Sequence, residues 1–242
     1  MNVIVRNLGL IEYTGTVERM REFVDGRVED SADEIWFLQH PPVFTQGQGG
    51  RAVHVHNTGN IPLVQSDRGG QVTYHGPGQL IAYILMDLRR EGIGPRELVR
   101  RIEAGVINFL NELGVCALRQ PGAPGVYVAA EKIAALGLRI RRGSSYHGMA
   151  LNVDLDLEPF SRIDPCGYRA LKVTRLKDLG LDIDCAAVAN ALLLKLVDSL
   201  YGEECTVDFS LESGAVLDRE RGKADWPGTI PNNAELQHIH GN

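Results

Sequence analysis

The stretch that decides the fold reads RGGQVTYHGPGQLIAYILMDL and runs from Arg68 to Leu88. Its first twelve residues contain four glycines and a proline, which lose much backbone entropy on folding but let main-chain amides approach a ligand closely. From Gln79 onward the stretch is an almost unbroken apolar run, which is typical of a strand covered on both faces. The pattern predicts a glycine-rich binding loop leading into a buried strand. Two tight turns beside a hairpin explain the glycines equally well.

Strands and helices are expected on both sides of this stretch, in a mixed order along the chain. Helices are predicted over residues 17–28, 95–113 and 186–201, and Thr174 is expected to cap a short helix ending at Leu179. Residues 40–50, from His-Pro-Pro to the glycines, are expected to form a loop. Short strands after residue 114 favour antiparallel pairing, and the mixed order predicts one α+β (mixed α/β) domain. Besides residues 79–88, strands are expected over residues 3–8, 34–39, 61–65, 115–118, 125–129, 132–140 and 146–153.

The composition suits one folded domain with an acidic tail. Apolar residues make up 44% of the 242 residues, enough for a core that needs neither metal nor disulfide. We expect a folded domain over residues 1–205 and a weakly ordered tail over residues 206–242. From residue 202 onward, three Lys or Arg stand against eight Asp or Glu, and such polar segments order poorly.

The sequence also predicts the compartment. No segment approaches the roughly 18 consecutive apolar residues of a membrane span, and the first residues resemble neither a signal nor a transit peptide. The four cysteines form no C-x-x-C pair, so no zinc site or redox motif is indicated, and free thiols suit a reducing compartment. We therefore predict a cytoplasmic protein that does not contact the membrane.

The distribution of charge points to a protein partner. The net charge of −6 argues against nucleic-acid binding. Residues 83–143 nevertheless carry ten Lys or Arg against six Asp or Glu, so the centre of the chain is locally basic. A basic face of this kind suits an acidic protein, and a solvated basic surface is the equally weighted alternative.

Two side chains could carry covalent chemistry. Cys166 stands in a turn between Pro165 and Gly167, where a thiol is more exposed than on a core face. Lys132 opens an apolar strand, and burial there would lower its pKa and let the amine act as a base. The simpler alternatives are a small buried cysteine and a strand-end lysine that reaches water. His147 alone is more often structural than catalytic.

In combination, six strings resemble the lipoyl (octanoyl) transferase family over about residues 35–200. Four glycine-rich or apolar strings are joined by one that contains Lys132 and one that contains Cys166, in the order and spacing of that family. A chance match of this extent is very improbable. The strings are HPPVFTQGQ from His40, SDRGGQVTYHGPGQ from Ser66, APGVYV from Ala123, KIAALGLRIRRG from Lys132, YHGMALNV from Tyr146 and DPCGY from Asp164.

The resemblance implies a fold, an activity and a set of site residues. It implies the catalytic fold of biotin and lipoate protein ligases over residues 1–205, with a cysteine–lysine pair, Cys166 and Lys132, in place of ATP chemistry. Ala135 departs from the many members that carry serine there, which removes a hydroxyl but keeps the main-chain donors. The family's substrate-binding positions fall on Arg68, Gly69, Gly70, Gln71, Val72, Thr73, Tyr74, His75, Ala135, Leu136, Gly137, Gly148, Met149 and Ala150.

The activity so implied is the first step of endogenous protein lipoylation. An octanoyl group would pass from acyl carrier protein to Cys166 as a thioester, and then to a lysine of lipoyl domains of 2-oxoacid dehydrogenase complexes or of the glycine cleavage H protein. Neither ATP, metal nor any other cofactor is expected, because the acyl group arrives activated, and the enzyme is expected to be a monomer.

Further roles are predicted for residues around this pair. Amides of residues 76–78 or 136–137 are expected to stabilise the oxyanion. The apolar walls of the octanoyl slot are expected from Val72, Tyr74, Leu136 and Met149. The docking face for acidic partners is expected to contain Arg89, Arg90, Arg139, Arg141 and Arg142.

Three other functions remain open at this point. An ATP-dependent lipoate or biotin-type ligase shares the fold but gives Cys166 no role. A cysteine thioesterase would use His75 or His147 as its base and lose the acyl group to water. A non-enzymatic binding module would hold an acyl or peptide ligand without a covalent adduct. The alternating histidines of residues 54–56 and 238–240 are too few to indicate a metal site.

Overall fold

The strand predicted from the apolar run is buried on both faces and lies inside the sheet. The computed structural model describes residues 2–167, 171–202, 205–209, 216–218 and 223–225. Its helices are α1 (Tyr13–Asp25), α2 (Pro95–Glu112) and α3 (Cys185–Tyr201). Its strands are β1 (Asn2–Leu10), β2 (Asp33–Gln39), β3 (Val43–Gln46), β4 (Leu63–Gln65), β5 (Val72–His75), β6 (Gln79–Leu85), β7 (Leu118–Gln120), β8 (Ala123–Val128), β9 (Glu131–Arg141), β10 (Ser144–Asn152), β11 (Thr206–Phe209), β12 (Val216–Asp218) and β13 (Lys223–Asp225).

Eight strands form one mixed sheet in the order β11-β1-β2-β6-β10-β9-β8-β7. The strands from β2 through β6 to β7 pair antiparallel, which confirms the antiparallel part predicted from the short strands. The other end, β11-β1-β2, is parallel. The mixed α/β class predicted from the sequence is therefore confirmed. A smaller sheet, β4-β3-β5, carries the end of the glycine-rich loop.

Helices cover both faces of the large sheet because side chains of β6 alternate between two cores. Leu80, Ala82 and Ile84 belong to the larger core, which α2 and α3 complete. The intervening side chains, such as Ile81 and Tyr83, pack on the other face with α1. Helices α2 and α3 approach closely at Gly105, where a Cβ would lie 2.9 Å from the carbonyl oxygen of Lys195.

Some predicted boundaries were wrong for local reasons. The loop expected over residues 40–50 contains β3, because the two prolines end β2 and the chain then re-enters a sheet. The strand expected at residues 115–118 begins only at Leu118. Thr174 does not cap the following turn, whose N-cap is Arg175 with no side-chain cap hydrogen bond. Helix α1 begins four residues early because the Glu12 side chain accepts from the Gly15 amide.

Strand β11 pairs with β1, and β12 pairs with β13. The remaining residues beyond 209 lie outside the described residues, so the predicted domain boundary and weakly ordered tail stay predictions. Within the ranges given above, no helix is long and apolar enough to cross a membrane.

Candidate functional site

The glycine-rich loop is folded by the buried side chain of Arg68. Its guanidinium donates to the carbonyl oxygens of Gly69, Gln71 and Thr45 at 2.9, 2.7 and 2.5 Å, and to the Thr45 hydroxyl. The fork of donors suits several acceptors at once, which an ammonium group cannot satisfy in the same geometry. Arg68 thus determines the path of residues 68–71 from inside the loop.

The same loop is docked on β9 without intervening side chains. The Gly69 amide donates to the Leu138 carbonyl oxygen at 2.9 Å. A Cβ on Gly137 would lie 2.9 Å from the Gly69 carbonyl oxygen, and one on Gly69 would lie 3.1 Å from the Leu138 carbonyl oxygen. Glycine is therefore required on both sides for this contact between loop and strand.

An inner cavity of about 50 Å³ lies between this loop, β9 and β10. Twelve of the fourteen predicted substrate-binding residues line it, so the structure brings three distant segments together. Gly69 lines a neighbouring groove instead. Tyr74 does not line the inner cavity, because its ring packs between Phe44 and Phe160 on the other side of β5. The twelve are Arg68, Gly70, Gln71, Val72, Thr73, His75, Ala135, Leu136, Gly137, Gly148, Met149 and Ala150.

Four further residues line the inner cavity that were not predicted to bind substrate: Tyr13, Ile81, Tyr83 and His147. Tyr13 comes from α1 and Ile81 and Tyr83 from β6, elements whose sequence shows only the apolar pattern of a core. His147 had been weighed as a structural histidine and as the base of a thioesterase. The neighbouring Gly148 and the preceding Gly143 were the available signal.

Two buried histidines beside the inner cavity, His75 and His40, are neutral. His75 Nδ1 lies 2.7 Å from Gln79 Oε1, and burial lowers the pKa of this imidazole to about 3. His40 Nε2 lies 2.7 Å from the Tyr83 hydroxyl, and burial lowers its pKa to about 4. Both rings therefore serve as uncharged hydrogen-bonding groups at neutral pH.

His147 is strained and incompletely bonded. Its φ is 59°, an unusual value for a side chain other than glycine, and its Nε2 lies 2.9 Å from Asp67 Oδ1. Within the described residues, its buried Nδ1 has no hydrogen-bond partner. Burial lowers the pKa of His147, and Asp67 offsets part of that effect. Burial also disfavours the Asp67 carboxylate, but hydrogen bonds from His147 and Tyr146 outweigh this and hold its pKa well below the usual range.

Lys132 is buried at the start of β9 and faces the site. Its Nζ donates to the Pro124 carbonyl oxygen at 3.0 Å and lies 5.1 Å from the Tyr127 ring centroid. Its main chain pairs with the segment after Cys166, because its amide donates to the Lys172 carbonyl oxygen at 2.9 Å. Gly125, with φ 141°, leaves room for the side chain, since a Cβ there would lie 3.0 Å from Lys132 Cε. The lysine is thus not the solvent-seeking strand-end residue of the simpler alternative.

The turn that carries Cys166, Pro165–Gly167, is held through Asp164. The Asp164 carboxylate lies 3.1 Å from His54 Nδ1 and 2.8 Å from His56 Nε2, and these hydrogen bonds, His56 first, lower its pKa. Its amide donates to the His54 carbonyl oxygen at 2.8 Å, and its carbonyl oxygen accepts from the Gly167 amide at 2.9 Å. Asp164 is therefore fixed at all its polar groups, and the turn is fixed with it.

The structure brings this turn and Lys132 to the same place. Pro165 and Lys132 both line a small cavity of about 10 Å³, which also reaches Thr73 and Ala135. A Cβ on Gly167 would lie 3.4 Å from the side chain of Gln71. The side chain of Cys166 lies outside the description, so the predicted contact between its thiol and Lys132 stays a prediction.

An outer groove of about 510 Å³ lies on the far side of the glycine-rich loop. Its walls come from the start of α2, residues 122–124 and β9, and they include Lys132. It shares Gly70, Gln71, Leu136 and Gly137 with the inner cavity. The loop and this part of β9 thus separate two spaces, and Lys132 lines the outer one.

Two sets of predicted accessory groups have partners of their own. The Gly78 amide donates to Gln39 Oε1 at 2.7 Å, so it is not available to an oxyanion, whereas Leu136 and Gly137 line the inner cavity. Among the docking arginines, Arg141 and Arg142 pair with Asp25, and Arg90 pairs with Asp33. Arg139 donates to Gln48 Oε1, and Arg89 donates to the Arg142 carbonyl oxygen.

Comparison with known proteins gives a consistent set of similarities. The family model described as lipoyl protein ligase A/B catalytic domain matches residues 13–197. An octanoyltransferase of Stutzerimonas stutzeri (strain A1501) is 57% identical over 213 residues, which cover 88% of this chain and 97% of that protein. An octanoyltransferase of Pseudomonas putida (strain W619) is 57% identical over 203 residues, covering 84% and 94%.

Solved structures share the fold. Lipoate-protein ligase A bound with ATP superposes with a TM-score of 0.69 at 18% identity, covering 88% of this chain and 90% of that one. A bi-partite lipoate protein ligase from Thermoplasma acidophilum superposes with a TM-score of 0.66 at 19% identity, covering 86% of each chain. The lipoate-ligase fold implied by the sequence motifs is therefore confirmed.

Proposed function

The chain belongs to the lipoyl protein ligase A/B catalytic domain family and is an acyltransferase, and we propose that it carries an octanoyl group from acyl carrier protein to lysine side chains of lipoyl domains through a thioester on Cys166. The observation that carries this proposal is the turn Pro165–Gly167 meeting the buried Lys132 beside the inner cavity. A cysteine-bearing turn and a buried amine beside an apolar cavity suit the transfer of an acyl group from one thiol to a second thiol and then to an amine.

The first half-reaction exchanges one thioester for another. The Lys132 amine takes the proton of the Cys166 thiol, because only the thiolate is an effective nucleophile. The thiolate attacks the octanoyl carbonyl, the bond from that carbonyl to the carrier's sulfur breaks, and the departing thiolate takes the proton back from Lys132. One thioester bond forms and one breaks, so the step is nearly balanced in energy and needs no ATP.

The second half-reaction forms the amide. The amine of the target lysine attacks the acyl-Cys166 carbonyl, Lys132 removes a proton from the attacking nitrogen, and the Cys166 thiolate leaves and is reprotonated. Both tetrahedral intermediates carry an oxyanion, for which the main-chain amide at Leu136 is the remaining candidate. Gly137 has no side chain to block this approach.

The octanoyl chain is assigned to the inner cavity. Its walls include Val72, Leu136 and Met149, and each buried methylene contributes about 0.8 kcal/mol. The free space of about 50 Å³ is smaller than the ~300–1,000 Å³ of ordinary ligand pockets, so the walls must part when the chain enters. Met149 is suited to this movement because its side chain is unbranched and adaptable.

The partners follow from the same proposal. Lipoyl domains of 2-oxoacid dehydrogenase complexes and the glycine cleavage H protein would be the acceptors of a monomeric, cytoplasmic enzyme. An acidic carrier would dock weakly on the basic surface around Arg89 and Arg139, with an affinity that falls as salt screens the charges. Since Arg90, Arg141 and Arg142 form ion pairs with Asp33 or Asp25, they contribute less free charge to that surface.

The decisive experiment is intact-mass measurement after incubation with octanoyl-acyl carrier protein in the absence of ATP. We expect a gain of one octanoyl group, removable by neutral hydroxylamine, absent from Cys166→Ser and retained in Cys116→Ser, whose cysteine is exposed and remote in sequence. A chase with a lipoyl domain should move the group to a lysine. No adduct on the folded protein, with modification that requires ATP and free octanoate, would establish a ligase. An adduct lost to water rather than to the lysine would establish a thioesterase.

A further inference from the structure

The outer groove has apolar walls and leads to Lys132. Val99 of α2 and Leu138 and Ile140 of β9 contribute aliphatic surface, and Lys132 also lines the groove. Gln71 and Leu136 lie where the groove meets the inner cavity. Its volume of about 510 Å³ is within the usual range for small-molecule sites, ten times that of the inner cavity. The groove is therefore large enough to hold a flexible chain that delivers a reacting group to Lys132.

Two polar groups of the groove have no partner within the described part of the chain. The buried Oε1 of Gln71 accepts no hydrogen bond there, although Gln71 lines both spaces and touches the position of Gly167. Arg96, on the first turn of α2, is exposed and makes neither an ion pair nor a hydrogen bond with a described residue. An acceptor near the reacting centre and a cation on the helix side thus bracket the apolar walls.

We propose that the outer groove receives the phosphopantetheine arm of the acyl donor, an inference that rests on the function proposed above. The arm is a chain of methylene and methyl-bearing carbons with two amide groups, and it ends in a phosphate. Its aliphatic part matches the walls, an amide N–H can donate to Gln71, and the phosphate meets the guanidinium of Arg96. The other reactant, a lysine ammonium, would meet a like charge at Arg96, so charge favours the donor over the acceptor.

The first test compares two small donors that differ only in the phosphate: octanoyl-pantetheine and octanoyl-4′-phosphopantetheine. Acylation of Cys166 is followed by mass spectrometry at varied donor concentration. We expect Arg96→Gln to raise KM for the phosphorylated donor roughly tenfold while leaving kcat and the unphosphorylated donor unchanged. Arg51→Gln removes another exposed arginine, which does not line the groove, and should change neither donor.

A second variant tests the groove itself. Val99→Phe narrows the groove and should slow acylation by both donors, while acyl-enzyme of the same variant, loaded by long incubation, should pass its octanoyl group to a lipoyl domain at the wild-type rate. If Val99→Phe slows only the second half-reaction, the groove holds the acceptor lysine. If Val99→Phe changes only the preferred acyl length, the groove holds the acyl chain. Either result overturns the proposal.

The outcomes also distinguish failure of the groove assignment from failure of the proposed function. If the wild type forms no acyl-enzyme with any donor, the proposed function fails and the groove assignment fails with it. If the wild type is acylated normally and both Arg96→Gln and Val99→Phe match it, only the groove assignment is wrong.

Discussion

At the scale of single residues, the site depends on side chains that fix its loops as well as on those proposed to react. Asp164 belongs to the DPCGY string, yet its carboxylate contacts His54 and His56 and does not line the inner cavity. Both hydrogen bonds favour the carboxylate form and lower the pKa of Asp164. The sequence identified the string by resemblance, but two histidines 108 and 110 residues upstream carried no signal that they serve the same turn.

Asp164→Asn should therefore slow acylation of Cys166 while leaving donor binding intact. Asparagine replaces one carboxylate oxygen by an NH2 donor, so one of the two histidines must change its tautomer or lose its hydrogen bond. Misplacement of the turn by about 1 Å costs up to roughly a hundredfold in rate. We expect kcat to fall about ten- to hundredfold with KM unchanged, and Asp164→Glu to recover part of the loss. Asp182→Asn, an exposed aspartate elsewhere, is the control. An equal loss in the two variants, or a loss in KM alone, would contradict a positioning role.

Arg68 makes a second prediction at this scale. Its guanidinium donates to three main-chain carbonyl oxygens and to a hydroxyl. Hydrogen bonds from a charged group contribute about 1.5–3 kcal/mol each, and a substituted side chain recovers only part of this through its own hydrogen bonds. Arg68→Lys keeps the charge but loses the fork, so we expect the free energy of unfolding to fall by about 2–4 kcal/mol. Urea denaturation measures this free energy, and Arg51→Lys, a substitution of an exposed arginine, is the control. A loss below about 0.5 kcal/mol, the range of ordinary surface substitutions, would mean that other contacts hold the loop.

At the scale of elements, the site exists because a loop and two strands approach without side chains between them. Gly137 and Gly148 lie opposite each other on β9 and β10, and a Cβ on Gly148 would lie 2.0 Å from the Ala82 carbonyl oxygen. The resemblance marked both as substrate-binding positions. Their geometry shows that both are needed for close main-chain contacts. Gly148 contacts β6, and Gly137 contacts the glycine-rich loop.

Gly137→Ala tests the contact between loop and strand. The added methyl would lie 2.9 Å from the Gly69 carbonyl oxygen and 3.3 Å from Arg68 Cδ, so the loop must shift away from β9. We expect the free energy of unfolding to fall by about 1–3 kcal/mol. The acylation rate should fall by a larger fraction of its wild-type value than the free energy of unfolding does. Gly15→Ala, in α1 with only one atom at 3.9 Å, should leave acylation unchanged and should not lower the free energy of unfolding, since alanine is favoured over glycine in a helix. Wild-type acylation by Gly137→Ala would show that the loop does not need this close approach.

Sequence reasoning reached the helices and most strands because apolar periodicity reports burial directly. It placed α2 within a residue and recognised β6, whose two faces pack on different cores. It missed β3, because two prolines look like the end of ordered structure when the pairing partners β4 and β5 are not known. It also could not separate Tyr74 from its neighbours, since which face of a four-residue strand meets the cavity depends on the sheet register.

At the scale of the whole molecule, three buried histidines around the cavity, His40, His75 and His147, determine how stability responds to acid, because burial lowers the pKa of each. The pKa of His75 is lowered to about 3 and that of His40 to about 4, from 6.5 in the unfolded chain. Below pH 6.5 the unfolded state therefore binds protons that the native state excludes, and stability is lost as the pH falls. The carboxylate of Asp67, whose pKa is lowered, acts only below its ordinary value of 3.8. The window from pH 6.5 to about 4 thus belongs mainly to the histidines.

We expect the free energy of unfolding, measured in urea, to be highest above pH 7 and to decline below pH 6.5, with a slope approaching about 1.4 kcal/mol per pH unit for each histidine. His75→Gln removes one of the three titrations and should reduce the slope by about a third, even if its stability at pH 7 is lower. Glu91, whose pKa burial raises, gives a contribution of opposite sign, and Glu91→Gln should steepen the decline. A slope that His75→Gln leaves unchanged would mean that this ring is protonated in the native state, and that the cavity holds a charge where the structure has a neutral imidazole.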